Sequence, residues 1–157
     1  MTDVLENRVG DMAESEACGS ALSACASFGI RKVMRLVTQN YDEALQPTGL
    51  RSTQLSILLG VSATGTSTIA NMARQLVMDP STLNRNLRPL IEKGLIESKL
   101  SPDGRRRFLS LSEQGHQAVR EALPYWKKAQ QSFVDRLGED RWNELSHTLE
   151  TILQVSR

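Results

Sequence analysis

The sequence lacks the features that define disulfide-stabilised, membrane-spanning and secreted proteins. It contains two cysteines in 157 residues, too few for a disulfide scaffold. Aromatic residues make up only 4% of the chain, and no apolar run approaches the length that crosses a bilayer. The first residues lack the basic region and the apolar stretch of a secretory signal. These absences predict a cytoplasmic protein with no membrane partner.

Charge is distributed unevenly along a chain whose formal net charge is only +1. Residues 1–16 carry five acidic side chains and one basic side chain, and we interpret them as a flexible acidic leader. Residues 81–107 carry seven basic and three acidic side chains. This asymmetry within one chain indicates an anionic partner for the middle of the sequence.

Apolar residues recur at steps of three and four through most of the chain, a period typical of amphipathic helices. The pattern predicts one long helix from Ala21 to Leu45 and two long helices after Ser112, the first of them kinked or split at Pro124. Shorter helices and two strands are predicted between these long helices. The short helices cover residues 53–63, 69–76 and 80–93, and the strands cover residues 95–100 and 105–111.

A helix, a tight turn, a second helix and a basic hairpin in this order form a winged helix-turn-helix. The predicted fold is therefore mainly α with a small β-hairpin wing. After the leader we expect an N-terminal dimerisation helix over 17–50, a DNA-binding lobe over 51–112 and C-terminal dimerisation helices over 113–157. A homodimer is favoured over packing within one chain because the last helix has an apolar stripe that needs a partner surface. This stripe consists of Trp142, Leu145, Leu149 and Ile152.

The second helix of the helix-turn-helix has two faces. Leu83, Leu87 and Leu90 form an apolar stripe, and polar side chains lie off it. Such side chains can contact phosphates or base edges, and arginine can pair bidentately with guanine. A solvated surface helix has the same pattern, but the adjacent arginine-rich wing favours DNA. The candidate contacts are Ser81, Thr82, Asn84, Arg85 and Arg88 on the helix and Asp103, Arg105, Arg106 and Arg107 on the wing.

Two motifs in this region resemble those of a known protein family. The stretch from Met78 to Ile96 is similar to the recognition helix and following strand of MarR-type transcriptional regulators. The wing matches their pattern of D-x-R, five residues, L-T, two residues and G, with Ser112 in the place of threonine. The sequence departs from the family at Pro80, where arginine is frequent, and at Pro89, inside the recognition helix.

The resemblance implies both a function and the residues that perform it. The function is that of a homodimeric repressor that binds a pseudo-palindromic site on double-stranded DNA. Asp103 would orient the guanidinium group of Arg105 into the minor groove. A small organic ligand, for which aromatic acids are candidates, would release the protein from DNA. Tyr41 and Trp126 are candidates to line the ligand pocket, although packing in the core is the alternative role for both.

Cys25 leaves open a related function, a thiol-based redox-sensing regulator, because some members of the family sense oxidants through a cysteine of the N-terminal helix. Cys25 lies on or beside the apolar stripe of the first helix, where a buried and inert thiol is the common outcome.

A remote alternative is a metal-binding helical protein, because the chain has two E-x-x-H motifs. These pair Glu113 with His116 and Glu144 with His147, and such motifs can hold metal ions in helical bundles. His147 falls on a predicted solvent face, which favours an ordinary surface histidine. The sequence has no GxSxG or HExxH motif, so we predict neither an enzyme nor a cofactor.

Overall fold

The computed structural model describes residues 15–156. The chain divides into two compact units, Met1–Gln39 and Asn40–Arg157. Of the predicted acidic leader, residues 1–14 lie outside the described range, and residues 15 and 16 are helical. Within residues 15–156, no helix combines the length and the apolarity that a membrane span requires.

One helix and most of a second occupy the described part of the first unit, and the second helix continues into the second unit. Helix α1 covers residues 15–24, and helix α2 (Ala26–Leu45) begins after a break at Cys25. The prediction of one uninterrupted helix from Ala21 is therefore wrong. The backbone N–H of Cys25 donates to the carbonyl of Leu22, three residues back, so the α-helical spacing of four is interrupted there. Cys25 is exposed, which also corrects the expectation of a buried thiol.

Both ends of the described chain expose large apolar side chains. Helices α1 and α2 expose Leu22, Phe28, Ile30, Val33, Met34 and Leu36, each between 37% and 58%. The last helix of the second unit exposes Leu149, Ile152, Leu153 and Val155, between 38% and 76%. Exposed apolar surface on this scale is typical of a face that another protein surface covers.

The second unit holds the remaining helices. After a 3₁₀ turn at Gln46–Thr48, they are α3 (Ser52–Thr64), α4 (Ile69–Gln75), α5 (Pro80–Glu92), α6 (Glu113–Leu137) and α7 (Glu139–Val155). Pro124 does not split α6. A proline frees the carbonyl four residues earlier, here that of Arg120, and both residues are exposed, so water can bond that carbonyl.

Three short antiparallel strands form one sheet in the order β1-β3-β2. They are β1 (Ser67–Thr68), β2 (Ile96–Leu100) and β3 (Arg107–Leu111). The predicted hairpin is confirmed, with Ile96 opposite Leu111 and Leu100 opposite Arg107. Strand β1 was not predicted, and it places Ser67 opposite Leu109.

The apolar face of α5 anchors it in the core. Leu83 and Leu90 are fully buried, and Leu87 is 1% exposed. They pack in one cluster with residues of α2, α3, α4 and the sheet, among them Leu45, Leu55, Leu58, Val61, Met72, Ile96 and Leu109. Burial of three leucines on one side fixes which side of α5 faces solvent.

The base of the wing is joined to α6 by close backbone contact. The N–H of Ser112 donates to the carbonyl of Leu95 at 3.2 Å, and its hydroxyl donates to the carbonyl of Gly94 at 2.5 Å. The same hydroxyl accepts from the N–H of Gly115 at 3.0 Å and so caps α6. A β-carbon on Gly115 would lie 2.0 Å from the carbonyl oxygen of Leu95, so only glycine fits.

Candidate nucleic-acid interface

Asp79 begins helix α5 and organises its first turn. Its carboxylate accepts hydrogen bonds from the Ser81 hydroxyl at 2.5 Å and from the Thr82 N–H at 2.8 Å. Pro80 occupies the first helical position, where the missing N–H has no helical partner to lose. The bonds from Ser81 and Thr82 hold the pKa of the Asp79 carboxyl well below its usual range. The cap is therefore an anion at neutral pH, and it fixes the start of α5.

Replacing Asp79 with alanine is expected to lower the thermal midpoint of unfolding by about 3 °C, because the first turn of α5 loses its cap.

The stabilisation that the Asp79 carboxylate provides should depend on pH. Since the folded-state pKa of Asp79 lies below its ordinary value of 3.8, the stabilisation is complete above that value. This stabilisation is lost as the pH falls below 3.8 and passes through the lower folded-state pKa. Thermal scans should show a constant gap between the two proteins above about pH 5 and a narrowing gap below about pH 4. An equal gap at pH 7 and pH 3 would contradict the ionised cap.

The solvent face of α5 carries four of the predicted contact residues. Ser81, Asn84, Arg85 and Arg88 are exposed, and their spacing of three, four and seven places them on one side of the helix. Thr82 is half-buried. The guanidinium group of Arg85 forms no ion pair with any residue in the described range. Arg88 differs, because its Nε donates to Glu92 at 2.7 Å.

The wing tip is a turn held by side-chain bonds to the backbone. The Asp103 carboxylate accepts from the Ser101 hydroxyl and from the backbone N–H of Arg105, the latter at 3.1 Å. These bonds hold the pKa of Asp103 below its usual range. The resemblance implied that the Asp103 carboxylate orients the Arg105 guanidinium, but among residues 15–156 no ion pair joins these two groups. The carboxylate positions the backbone of Arg105 and leaves its side chain exposed.

A groove of about 560 Å³ runs between the wing and the helix-turn-helix. Three wing arginines, the start of α4 and the start of α5 line it. The lining residues are Thr68, Ile69, Ala70, Asn71, Pro80, Arg105, Arg106 and Arg107. The groove thus brings the predicted wing arginines together with Pro80, the first residue of α5, whereas the contacts predicted on α5 are not among its lining residues. One of them, Arg107, also donates to the Ser98 hydroxyl at 3.2 Å.

Thr68 and Asn71 are groove residues that sequence reasoning missed. The Thr68 hydroxyl caps α4 by accepting from the N–H of Asn71 at 3.2 Å. The signal in the sequence is the hydroxyl-rich run of residues over 64–68, which is typical of a helix cap but does not show which residues lie near it in space.

A second cavity, of about 290 Å³, lies between the end of α2 and the C-terminal half of α6. Its lining combines three aromatic rings with cationic and polar groups, contributed by Asn40, Tyr41, Ala44, Tyr125, Lys128, Ala129, Ser132, Phe133 and Arg136. The Tyr41 hydroxyl donates to Oε1 of Gln130, and burial raises the pKa of Tyr41. Trp126, the other predicted pocket residue, instead packs against the core, and the neighbouring Tyr125 lines the cavity.

The E-x-x-H motifs do not converge. Glu113, His116, Glu144 and His147 are all exposed. In the described part of the chain, no group of three or more histidine, cysteine, aspartate or glutamate residues could hold a metal ion. The metal-binding alternative therefore has no geometric support here.

A helix-turn-helix with an arginine-rich wing defines a winged helix DNA-binding protein. Comparison with known proteins identifies the group within that class: a sequence model of the MarR family matches residues 50–108. The chain belongs to the MarR family of transcriptional regulators. Members of this family bind DNA and are not enzymes.

Similarity extends beyond the matched segment. The crystal structure of the Mycobacterium tuberculosis transcriptional regulator MosR in complex with DNA has a TM-score of 0.77 and 30% identity, over 84% of this chain and 96% of that one. CouR from Rhodococcus jostii RHA1, bound to p-coumaroyl-CoA, has a TM-score of 0.71 and 25% identity, over 84% and 94%. YwoH of Bacillus subtilis (strain 168), an uncharacterised HTH-type transcriptional regulator, is 23% identical over 80% of this chain and 91% of its own length.

Proposed function

We propose that this protein is a transcriptional repressor that binds a pseudo-palindromic DNA site as a homodimer and releases it when a small organic ligand binds. The DNA-binding part of this proposal is supported above all by the groove, because the start of α4, Pro80 at the start of α5 and three wing arginines line it together. The resulting surface presents hydroxyl, amide and guanidinium groups, which are the donors that contact phosphates and base edges. Because its partner is chromosomal DNA, we place the protein in the cytoplasm.

The proposed contacts divide between the helix and the wing. Asn84, Arg85 and Arg88 read base edges in the major groove, and Ser81 and Thr82 contact phosphates. Arg105 enters the minor groove, and Arg106 and Arg107 contact the backbone. In a symmetric dimer the two recognition helices meet half-sites about one helical turn, roughly 10 bp, apart.

The homodimer is supported by the apolar residues that each unit exposes. In the first unit they lie along α1 and α2, and in the second unit they lie on α7. A second copy of the chain covering these surfaces would remove them from water, which is the main driving force of association. We therefore assign dimerisation to residues 17–50 and 113–157, and DNA binding to residues 51–112.

The ligand proposal rests on the cavity between α2 and α6. Its aromatic rings suit a planar ring, and Lys128 and Arg136 suit an anion. The same end of α2 is joined to α3, because the Asp42 carboxylate accepts from the N–H and hydroxyl of Ser52 at 2.6 and 2.7 Å. Helix α3 packs against α5. A ligand that displaces the end of α2 would therefore shift the equilibrium of the DNA-binding surface.

The DNA-binding proposal is tested by enrichment of sheared genomic DNA on the purified protein at a stated salt concentration, followed by sequencing. Discrete enriched sites with two-fold symmetry are expected. The Arg105→Ala variant should bind the same sites about tenfold more weakly, because the minor-groove contact is lost. Glu144→Gln is the control, because Glu144 is an exposed residue of α7 that is not among the proposed DNA contacts. This variant should retain full affinity for DNA.

Two outcomes would contradict the proposal. Enrichment no greater than that of Arg105→Ala would exclude the wing from DNA recognition. A monomer in sedimentation equilibrium at micromolar concentration, or enriched sites without symmetry, would exclude the homodimer.

A further inference from the structure

The exposed face of α5 ends in an ion pair that the contacts proposed above do not explain. Nε of Arg88 donates to Oε1 of Glu92 at 2.7 Å, one helical turn further along. Residues 81, 85, 88 and 92 are spaced by four, three and four, so Glu92 continues the line of candidate DNA contacts. A carboxylate in this line faces the same partner as the arginines.

The rest of α5 is rigidly placed, so the pair decides where the Arg88 guanidinium lies. Leu83, Leu87 and Leu90 are buried on the opposite side and prevent rotation of the helix about its axis. The pair itself is open to water, because the two side chains are 81% and 60% exposed. Its bond also raises the pKa of Arg88. An exposed pair of this kind contributes little to the free energy of unfolding. Its distinctive property is its place on the face of α5 that carries the candidate DNA contacts.

A free arginine on a DNA-binding face can contact a phosphate as readily as a base edge, and its phosphate contacts stabilise binding to all sequences. An arginine held by a carboxylate must give up that bond before it contacts DNA. A single phosphate contact replaces one charge-assisted bond with another, whereas guanine offers two acceptors to the guanidinium fork. The ion pair therefore penalises phosphate contacts of Arg88, which carry no sequence information.

We propose that Glu92 is a positioning residue for sequence specificity: it holds Arg88 away from phosphates, so that Arg88 engages DNA only where a bidentate base contact replaces the ion pair. The inference rests on the proposed DNA-binding function and assigns it a further residue. Glu92 need not touch DNA, because it acts through Arg88.

The experiment compares two duplexes of equal length and composition. One is the best site selected from a random library by the wild-type protein, and the other is its scrambled sequence. Glu92→Gln should bind the scrambled duplex roughly three- to tenfold more tightly than wild type, with a salt dependence steeper by about 0.9 in log K against log salt. Affinity for the selected site should rise less, so the specificity ratio falls.

Two further comparisons separate positioning from loss of charge. Glu113→Gln removes another exposed carboxylate, which pairs with Arg120 at 3.1 Å on α6, and it should leave the specificity ratio unchanged. In an Arg88→Ala background, Glu92→Gln should no longer alter the ratio. An effect of the same size with and without Arg88 would overturn the inference, as would an unchanged ratio in Glu92→Gln.

The inference and the function on which it rests fail differently. A wild-type protein that selects a site, together with an unaltered ratio in Glu92→Gln, contradicts the role of Glu92 alone. A wild-type protein that selects no sequence contradicts the proposed function and the inference together.

Discussion

Replacing Gly115 with alanine is expected to lower the free energy of unfolding by about 3 kcal/mol or more. The new β-carbon would lie 2.0 Å from the carbonyl oxygen and 3.0 Å from the carbonyl carbon of Leu95. Both atoms belong to the backbone at the base of the wing, so they cannot rotate away as a side chain would. Relief requires that β2 move away from α6, which would break the bonds that Ser112 makes to Gly94 and Leu95.

Chemical denaturation of both proteins measures this loss, and Gly60→Ala is a matched control. A β-carbon on Gly60 would meet Cε of Met72 at 2.9 Å, the mobile end of a flexible side chain. A small movement of Met72 accommodates it, and alanine also favours the helical conformation of α3. We expect Gly60→Ala to stay within about 1 kcal/mol of wild type. Equal effects of the two substitutions would show that the wing is not held against α6 as tightly as described.

Replacing Arg85 with alanine is expected to weaken binding to the selected DNA site roughly 10- to 100-fold. Arg85 lies in the middle of the exposed face of α5 and pairs with no acidic residue of the described range. Its guanidinium group is therefore available for a base edge without the loss of an existing bond. The variant should also lose its preference at one base pair of each half-site, which selection from a random library detects.

Arg106→Ala provides the contrast, because a phosphate contact carries no sequence information. It should weaken binding to all duplexes alike and reduce the slope of log K against log salt by about 0.9. Arg120→Ala on α6 removes an arginine that pairs with Glu113, and it should leave affinity unchanged. If Arg85→Ala weakened all duplexes equally, Arg85 would be a phosphate contact and the base-reading assignment would be wrong.

The recognition helix and the hairpin were predictable because their signals are local. Three leucines at helical spacing, the Asp79-Pro80 start and the turn before Arg105 each depend on a few neighbouring residues. Strand β1 was not predictable, since two residues carry no periodicity and its pairing with β3 joins segments about forty residues apart in sequence. The break at Cys25 was missed because the apolar period continues through it without proline or glycine.

The sequence predicted many of the residues of the candidate sites but not how their side chains are arranged. The sequence places Asp103 beside Arg105, but only the turn decides that the carboxylate bonds the backbone N–H instead of the guanidinium. In α6, one residue corresponds to about 100° around the helix axis. That step turns Trp126 toward the core and Tyr125 toward the cavity, and the sequence does not show which of two adjacent aromatic residues lines a pocket.

The strand order β1-β3-β2 has a consequence for the behaviour of the protein at high concentration. It leaves β2 at the edge of the sheet, with unpaired backbone groups that a strand of another molecule could bond. Glu97 and Lys99 project from this strand as exposed charges, 2.7 Å apart at their nearest atoms. A second strand approaching this edge would have to strip water from both, which opposes aggregation through the sheet. The homodimer proposed above uses the helices instead, where the exposed apolar side chains lie.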